Sequence, residues 1–197
     1  MRKSFLSAAA LVMGAMAASA HAQSVIGNGD FELSSVPTGS SSSFADIVSS
    51  QTWDQLQWGS ITNTSSIVDA SGNQAAQVVL GDSIWSAFSA TSAGTYALRF
   101  DAVGQGNYSL VNASTDTLLS SGTLSNPSPA TVTSAGFSLN TSDVYRVYFS
   151  SSDATNTLTV DNVMLAAVPE PQTYAMMLAG LGALGLIHRR RMVAQRG

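Results

Sequence analysis

Cysteine is absent from this 197-residue chain, and histidine occurs only as His21 and His188, close to the two ends. The stretch between them has neither thiolate nor imidazole. That excludes Cys-His and Ser-His-Asp nucleophilic machinery, zinc sites of His/Cys type, haem ligation through histidine, and disulfides. Cations are almost as scarce. Arg2, Lys3, Arg189, Arg190, Arg191 and Arg196 sit at the ends, leaving Arg99 and Arg146 in the body. Against these two stand Glu32 and ten aspartates, so residues 23–167 have a net charge of −9. A body this acidic lacks the basic stripe that nucleic acid or anionic headgroups need. Nucleic-acid binding is excluded. Glutamate is rare as well, and a glycosidase needs two carboxylates across one bond with one kept protonated by burial. Spacing selects no pair, Asp54 with Asp69 for instance, from aspartates that serve turns. We expect no enzyme.

Long apolar runs are confined to the ends. Arg2 and Lys3 precede Phe5 to Ala18, and Ala20-His21-Ala22 puts small residues at the two positions a signal peptidase reads. This order marks residues 1–22 as a secretory signal peptide, with the mature protein starting near Gln23. The alternative is an uncleaved amphipathic N-terminal helix.

At the other end Val168-Pro169-Glu170-Pro171 is followed by an apolar run from Tyr174 to Ile187, then His188 and Arg189-Arg190-Arg191. The run predicts a membrane helix at about 174–187 with a basic tail at 188–197. At about 1.5 Å per residue it spans about 21 Å, short against a hydrocarbon core of about 30 Å. The arginines stay cytoplasmic, because moving three guanidinium groups through lipid is strongly unfavourable, so the body lies outside. These residues resemble the PEP-CTERM sorting signal. The resemblance implies recognition by a membrane-embedded exosortase, which cuts near the motif and releases the protein or transfers it to the surface. Pro169, Glu170 and Pro171 would be the recognition residues and Arg189, Arg190 and Arg191 the basic stop. An ordinary C-terminal anchor behind a proline-rich linker is the alternative.

With residues 168–197 assigned to the sorting signal, residues 23–167 are long enough for one domain with a real core. Asn28-Gly29-Asp30-Phe31-Glu32 predicts a turn leading into a first strand, and Pro37 to Ser43 reads as a surface loop. Thr95 to Ala102 alternates with Tyr96, Leu98, Phe100 and Ala102 on one face. Gly104-Gln105-Gly106-Asn107 then reads as the turn of a hairpin into Tyr108 to Val111, and Asn126-Pro127-Ser128-Pro129 as a loop. Val144 to Ser150 alternates likewise, with Tyr145, Val147 and Phe149 inward. In Thr157 to Leu165 the parity of Leu158, Val160 and Met164 is broken by Asn162. Nine or ten short strands between turns predict an all-β, antiparallel sandwich.

Three pieces, Asn28 to Glu32, Gly94 to Phe100 and Val160-Asp161-Asn162-Val163, resemble the galactose-binding-like jelly rolls of carbohydrate-binding modules and surface proteins. The resemblance implies a jelly-roll sandwich whose ends lie together, sharing a structural calcium held by the oxygens of Glu32 and Asp161. The two carboxylates serve equally as turn caps or partners of Arg99 or Arg146, and no Asp-x-Asp-x-Asp-Gly loop decides between these. Trp53, Trp58 and Trp85 suit a platform for sugar rings, with Gln55, Gln57 and Asn63 as hydrogen-bonding neighbours, or they pack in the core.

Together these features describe an exported, non-enzymatic cell-surface or matrix protein, membrane-anchored before processing, then placed among exopolysaccharide in a biofilm matrix. Signal peptidase and exosortase are its expected processing partners. A dedicated carbohydrate-binding module is the second reading.

Overall fold

The alternation of apolar and polar residues sets which side of each strand is buried, and one unusually long strand sets how the chain curls. The computed structural model describes residues 26–33, 36–50, 56–154, 156–168 and 179–181. The expected signal peptide at 1–22 lies outside the described residues, as do Pro169, Glu170, Pro171 and the arginines 189–191. Of the expected membrane segment at 174–187, residues 179–181 are described, in a helical turn. Among the described residues no helix is long and apolar enough to cross a membrane.

Among the described residues ten strands follow in order: β1 (Ser41–Ser43), β2 (Gly59–Ser60), β3 (Ser66–Asp69), β4 (Gln74–Val78), β5 (Ser83–Ser89), β6 (Gly94–Asn112), β7 (Thr117–Thr133), β8 (Phe137–Leu139), β9 (Val144–Ser151) and β10 (Leu158–Ala167). Helix α1 (Phe44–Ser50) follows β1. Ser43 caps it, as serine at a helix start commonly does. Its Oγ accepts from the Asp46 N–H at 3.2 Å and donates to the Asp46 carboxylate at 2.7 Å. The strand pairs are antiparallel, and the ladder runs β1-β3-β4-β10-β6-β9-β5-β2, with β7 and β8 both added on β6.

The turn expected at 104–107 is instead the middle of β6. Tyr96 to Val103 pairs with β10, and Gly106 to Asn112 pairs with β9, so one strand serves both halves of a curled antiparallel sheet. The bend falls at Gly104, whose φ is +108°. Few other residues adopt such a backbone. A Cβ there would lie 2.5 Å from the Thr157 carbonyl oxygen, and one at Gly106 would lie 2.3 Å from that of Ser150. Bare backbone is what lets β6 pass this close. Asn126 to Pro129, expected as a loop, lies within β7. Both prolines fall in the register shift of β7, where residues 127–129 have no partner on β6, so the missing N–H removes no ladder bond. The first strand expected near Phe31 is a turn, closed by the Phe31 N–H donating to the Asn28 carbonyl at 3.1 Å.

The inward faces of both halves enclose one core. Leu98, Phe100, Leu110, Val147, Phe149, Leu158 and Val160 are all fully buried. Phe100 packs edge-on to Phe149 at 4.8 Å and to Tyr108 at 5.3 Å between ring centroids. That is the arrangement the aromatic quadrupole favours. In β10 the register slips between Asp161 and Met164, with Asn162 left-handed at φ +51°. The slip reverses which parity faces inward. Val163 and Leu165 are buried beyond it, and Met164 turns outward.

Candidate functional site

Three neighbouring strands present their outward residues as a grid. On β6 these are Asp101, Val103 and Gln105. On the β10 side they are Thr157, Thr159 and Asp161, and on β7 Pro127, Pro129 and Thr131. Spacing by two places the β6 and β10 residues on one face, and Pro127 and Pro129 join them from the register shift of β7 between Asn126 and Ala130. The register aligns Asp161, Asp101 and Thr131 as one rung and Thr159 with Val103 as the next. Two cavities, of about 530 Å³ and about 680 Å³, lie along this face and share Val103 in their walls. They meet at Val103 to make one groove, which lies on β6 from Asp101 to Gln105 and widens across β10 toward Val68, Ala75 and Gln77. Its apolar parts are Val103, the two prolines and, in the smaller cavity, Val68, Ala70, Ala75, Ala102 and Ala130; hydroxyl, carboxamide and carboxylate groups are set among them.

The acidic end of the groove meets the turn between β3 and β4. Glu32 Oε1 accepts from the Gln74 N–H at 2.7 Å, and Asp161 Oδ2 accepts from Asn73 Nδ2 at 3.0 Å. The pair singled out from the sequence therefore converges on adjacent residues. Burial raises the Asp161 pKa, hydrogen bonds from Asn73 and the Asn162 N–H oppose the rise, and repulsion from Asp101 and Glu32 adds to it. Asp101 accepts from Asn162 Nδ2 at 3.0 Å and from the Thr131 hydroxyl. Among the described residues no group of three or more His, Cys, Asp or Glu side chains is spaced to hold a metal ion.

The expected tryptophan platform needs correction. Trp58 is 0% exposed and packs in the core against Phe31, with ring centroids 4.9 Å apart. Its Nε1–H donates to the Asn28 carbonyl at 3.0 Å. The indole is thus satisfied internally and pins the N-terminal turn. Trp53, Asp54 and Gln55 lie outside the described residues. Trp85 is half-buried on the outward face of β5, directly across from Tyr148. The Arg146 guanidinium lies 5.4 Å from its ring centroid. At that range the cation is attracted to the face of the ring. Trp85 sits on a different part of the sheet from the groove. Asp101 and the groove's β7 wall went unnoticed in the sequence, since only the pairing of β6 with β7 and β10 brings them together.

A second carboxylate is built into the fold. Asp82 is 3% exposed and accepts from the N–H groups of Thr62 at 2.9 Å, Ser65 at 2.9 Å and Ser83 at 2.8 Å, and from the Ser60 hydroxyl. Burial alone would raise its pKa, but these hydrogen bonds together outweigh it and hold the carboxyl well below the usual range. It fastens residues 60–65 to the start of β5.

The model for the PEP-CTERM protein-sorting motif matches residues 167–191. That motif implies export, anchoring at a membrane and processing by a membrane protease, the exosortase. No curated protein matches the chain. Among solved structures, the chain is similar to TmCBM61 in complex with β-1,4-galactotriose, with 12% identity over 74% of this chain and 99% of that one, at a TM-score of 0.48. It is also similar to the C-terminal family 22 carbohydrate binding module of Clostridium thermocellum Xyn10B, with 12% identity over 56% of this chain and 86% of that one, at a TM-score of 0.38. A third likeness, at 9% identity and a TM-score of 0.40, is to the Arthrobacter globiformis T6 isomalto-dextranase complexed with panose. It covers 55% of this chain and 21% of the larger one. At these scores the likenesses assign no ligand.

Proposed function

We propose that the chain is an exported, non-enzymatic protein of the cell surface or extracellular matrix, with a jelly-roll body that associates with exopolysaccharide after C-terminal processing. Signal peptidase removes residues 1–22, and the exosortase acts at Pro169-Glu170-Pro171 while the basic stop holds the tail. The observation that supports this reading is the sorting motif matched at 167–191, which begins where β10 ends. Ala167 is still paired with Tyr96, and the Val168 N–H donates to the Thr95 carbonyl at 2.8 Å. Body and address adjoin without a linker.

The test is intact-mass measurement on protein recovered from cell surface and medium, beside a variant with Pro169, Glu170 and Pro171 replaced by alanine. A wild-type mass ending near 168–171, lost in the variant, supports the reading. A wild-type mass that retains residues 174–197 would overturn the sorting claim.

The groove favours the second reading, a dedicated carbohydrate-binding module, because it combines donors and acceptors with apolar surface from Val68, Ala75, Val103 and Pro129 and no cation lines it. Glu32 and Asp161 are the two carboxylates we propose for a structural calcium, with backbone and carboxamide oxygens left to complete the set. Their oxygens converge on one turn, and a hard cation would offset the burial that raises the Asp161 pKa and the smaller repulsion from Asp101 and Glu32.

A further inference from the structure

The groove's chemistry restricts which polysaccharide it accepts. Three of its side chains, Asp101, Asp153 and Asp161, are carboxylates, whereas the body's two arginines lie outside both cavities. A chain bearing uronate, sulfate or phosphate would bring anions against these carboxylates, a strongly unfavourable juxtaposition of like charges, and the one arginine of β6, Arg99, stands beyond the Asp101 end of the groove. A chain of hydroxyls meets no such cost. Each hydroxyl both donates and accepts, as a wall of carboxylate, carboxamide and threonine requires.

One residue in the groove has an unmet bond. Asn126 lines the cavity at the bend of β6, and its Nδ2 is the buried side-chain polar atom that lacks a hydrogen-bond partner among the described residues. A buried donor without a partner is unfavourable, and no internal bond to Nδ2 holds the amide in this orientation. Rotation of the carboxamide toward an acceptor in the cavity relieves that penalty. An uncharged, hydroxylated ligand supplies the acceptor.

The geometry points to a groove for a linear, neutral polysaccharide lying along β6, with Asn126 as the specificity-determining residue at the bend. The two cavities share Val103, so the occupied length runs from Asp101 to Gln105. That is about 13 Å, at about 3.3 Å per strand residue. This places an internal stretch of the polysaccharide on the sheet. The inference rests on the carbohydrate-binding reading and is independent of the sorting signal.

The test is affinity electrophoresis of the purified chain through native gels containing laminarin, xylan or β-1,4-galactan, beside gels containing alginate. The wild type is expected to be retarded by at least one neutral polymer and not by alginate. Asn126→Asp, which exchanges the donor for a further anion, should weaken that retardation at least about tenfold with an unchanged far-UV spectrum. Where Asn126→Asp unfolds the chain, Gln105→Ala on the exposed floor takes its place. Retardation by alginate as strong as by the neutral polymers would overturn the inference, as would full binding by a folded Asn126→Asp or Gln105→Ala chain. Binding that survives those changes and disappears with Trp85→Ala would leave the carbohydrate reading standing and sink the groove. Retardation by no polymer would sink both.

Discussion

Asp101 and Asp161 stand directly opposite each other across β6 and β10, two carboxylates on one rung of the sheet. Like charges in that relationship oppose pairing. Asp161 favours its protonated form more strongly in the fold than in the unfolded chain. Its contribution is therefore most favourable below about pH 4 and is lost as pH rises through its raised native pKa. Asp101→Asn should stabilise the protein at pH 7 by about 0.5–1 kcal/mol, read from urea unfolding. A variant less stable than wild type at pH 7 would show that the bonds Asp101 accepts from Asn162 and Thr131 outweigh the repulsion.

Calcium acts on the same corner. Addition of calcium to metal-free protein is expected to raise the melting temperature at pH 7, and Glu32→Gln or Asp161→Asn should abolish the rise. A wild-type melting temperature unmoved by excess calcium would remove the site.

Asp82 has the opposite sign, its native pKa being depressed. It stabilises the fold above the ordinary carboxylate range, and this stability is lost as pH falls from about 4 toward the native value. Its four hydrogen bonds are more than an amide in its place could accept. Asp82→Asn should accordingly cost about 2–4 kcal/mol at pH 7. The gap between variant and wild type should narrow on acidification. A gap that stays constant with pH would count against the charge as its source.

The N-terminal turn is locked to β10 through the Val163 N–H, which donates to the Gly29 carbonyl at 2.7 Å. A Cβ at Gly29 would fall 1.9 Å from the Val163 carbonyl oxygen, whereas one at Gly72 meets nothing within 4 Å. Gly29→Ala should cost about 2–4 kcal/mol by forcing the turn off the strand. Gly72 has a left-handed backbone and no crowding. Gly72→Ala should cost about 1 kcal/mol, from the backbone alone. Equal losses in chemical denaturation would contradict this packing.

Alternation made the strands around Phe100 and Val147 legible, because each residue's neighbours two places away share its face. The long course of β6 was not. A Gly-x-Gly segment looks locally like a turn, and only the carbonyls of Ser150 and Thr157, distant in sequence, reveal that the glycines serve close approach. Pro127 and Pro129 misled for a related reason, since their tolerance depends on a register shift that leaves residues 127–129 without a partner on β6. The parity conflict around Asn162 was visible and correctly located, and the register slip explains it. Trp58 was ambiguous because nothing in its vicinity says that the Asn28 carbonyl will receive its N–H. Glu32 and Asp161 were named through motif likeness, while the placing of Asp101 opposite Asp161 and of Asn126 opposite Gly104 required the register of three strands.

The way β10 leaves the sheet gives the body a mechanical character. Its last residues are bonded to β6 up to Val168, and its first three pair with β4 as well. Tension applied at Val168 along the strand axis loads these rungs in parallel, as shear, so they must fail together; tension across the axis would open them one after another. A body tethered through that end and gripping a polymer along β6 would meet the drag of flowing water in its stronger direction.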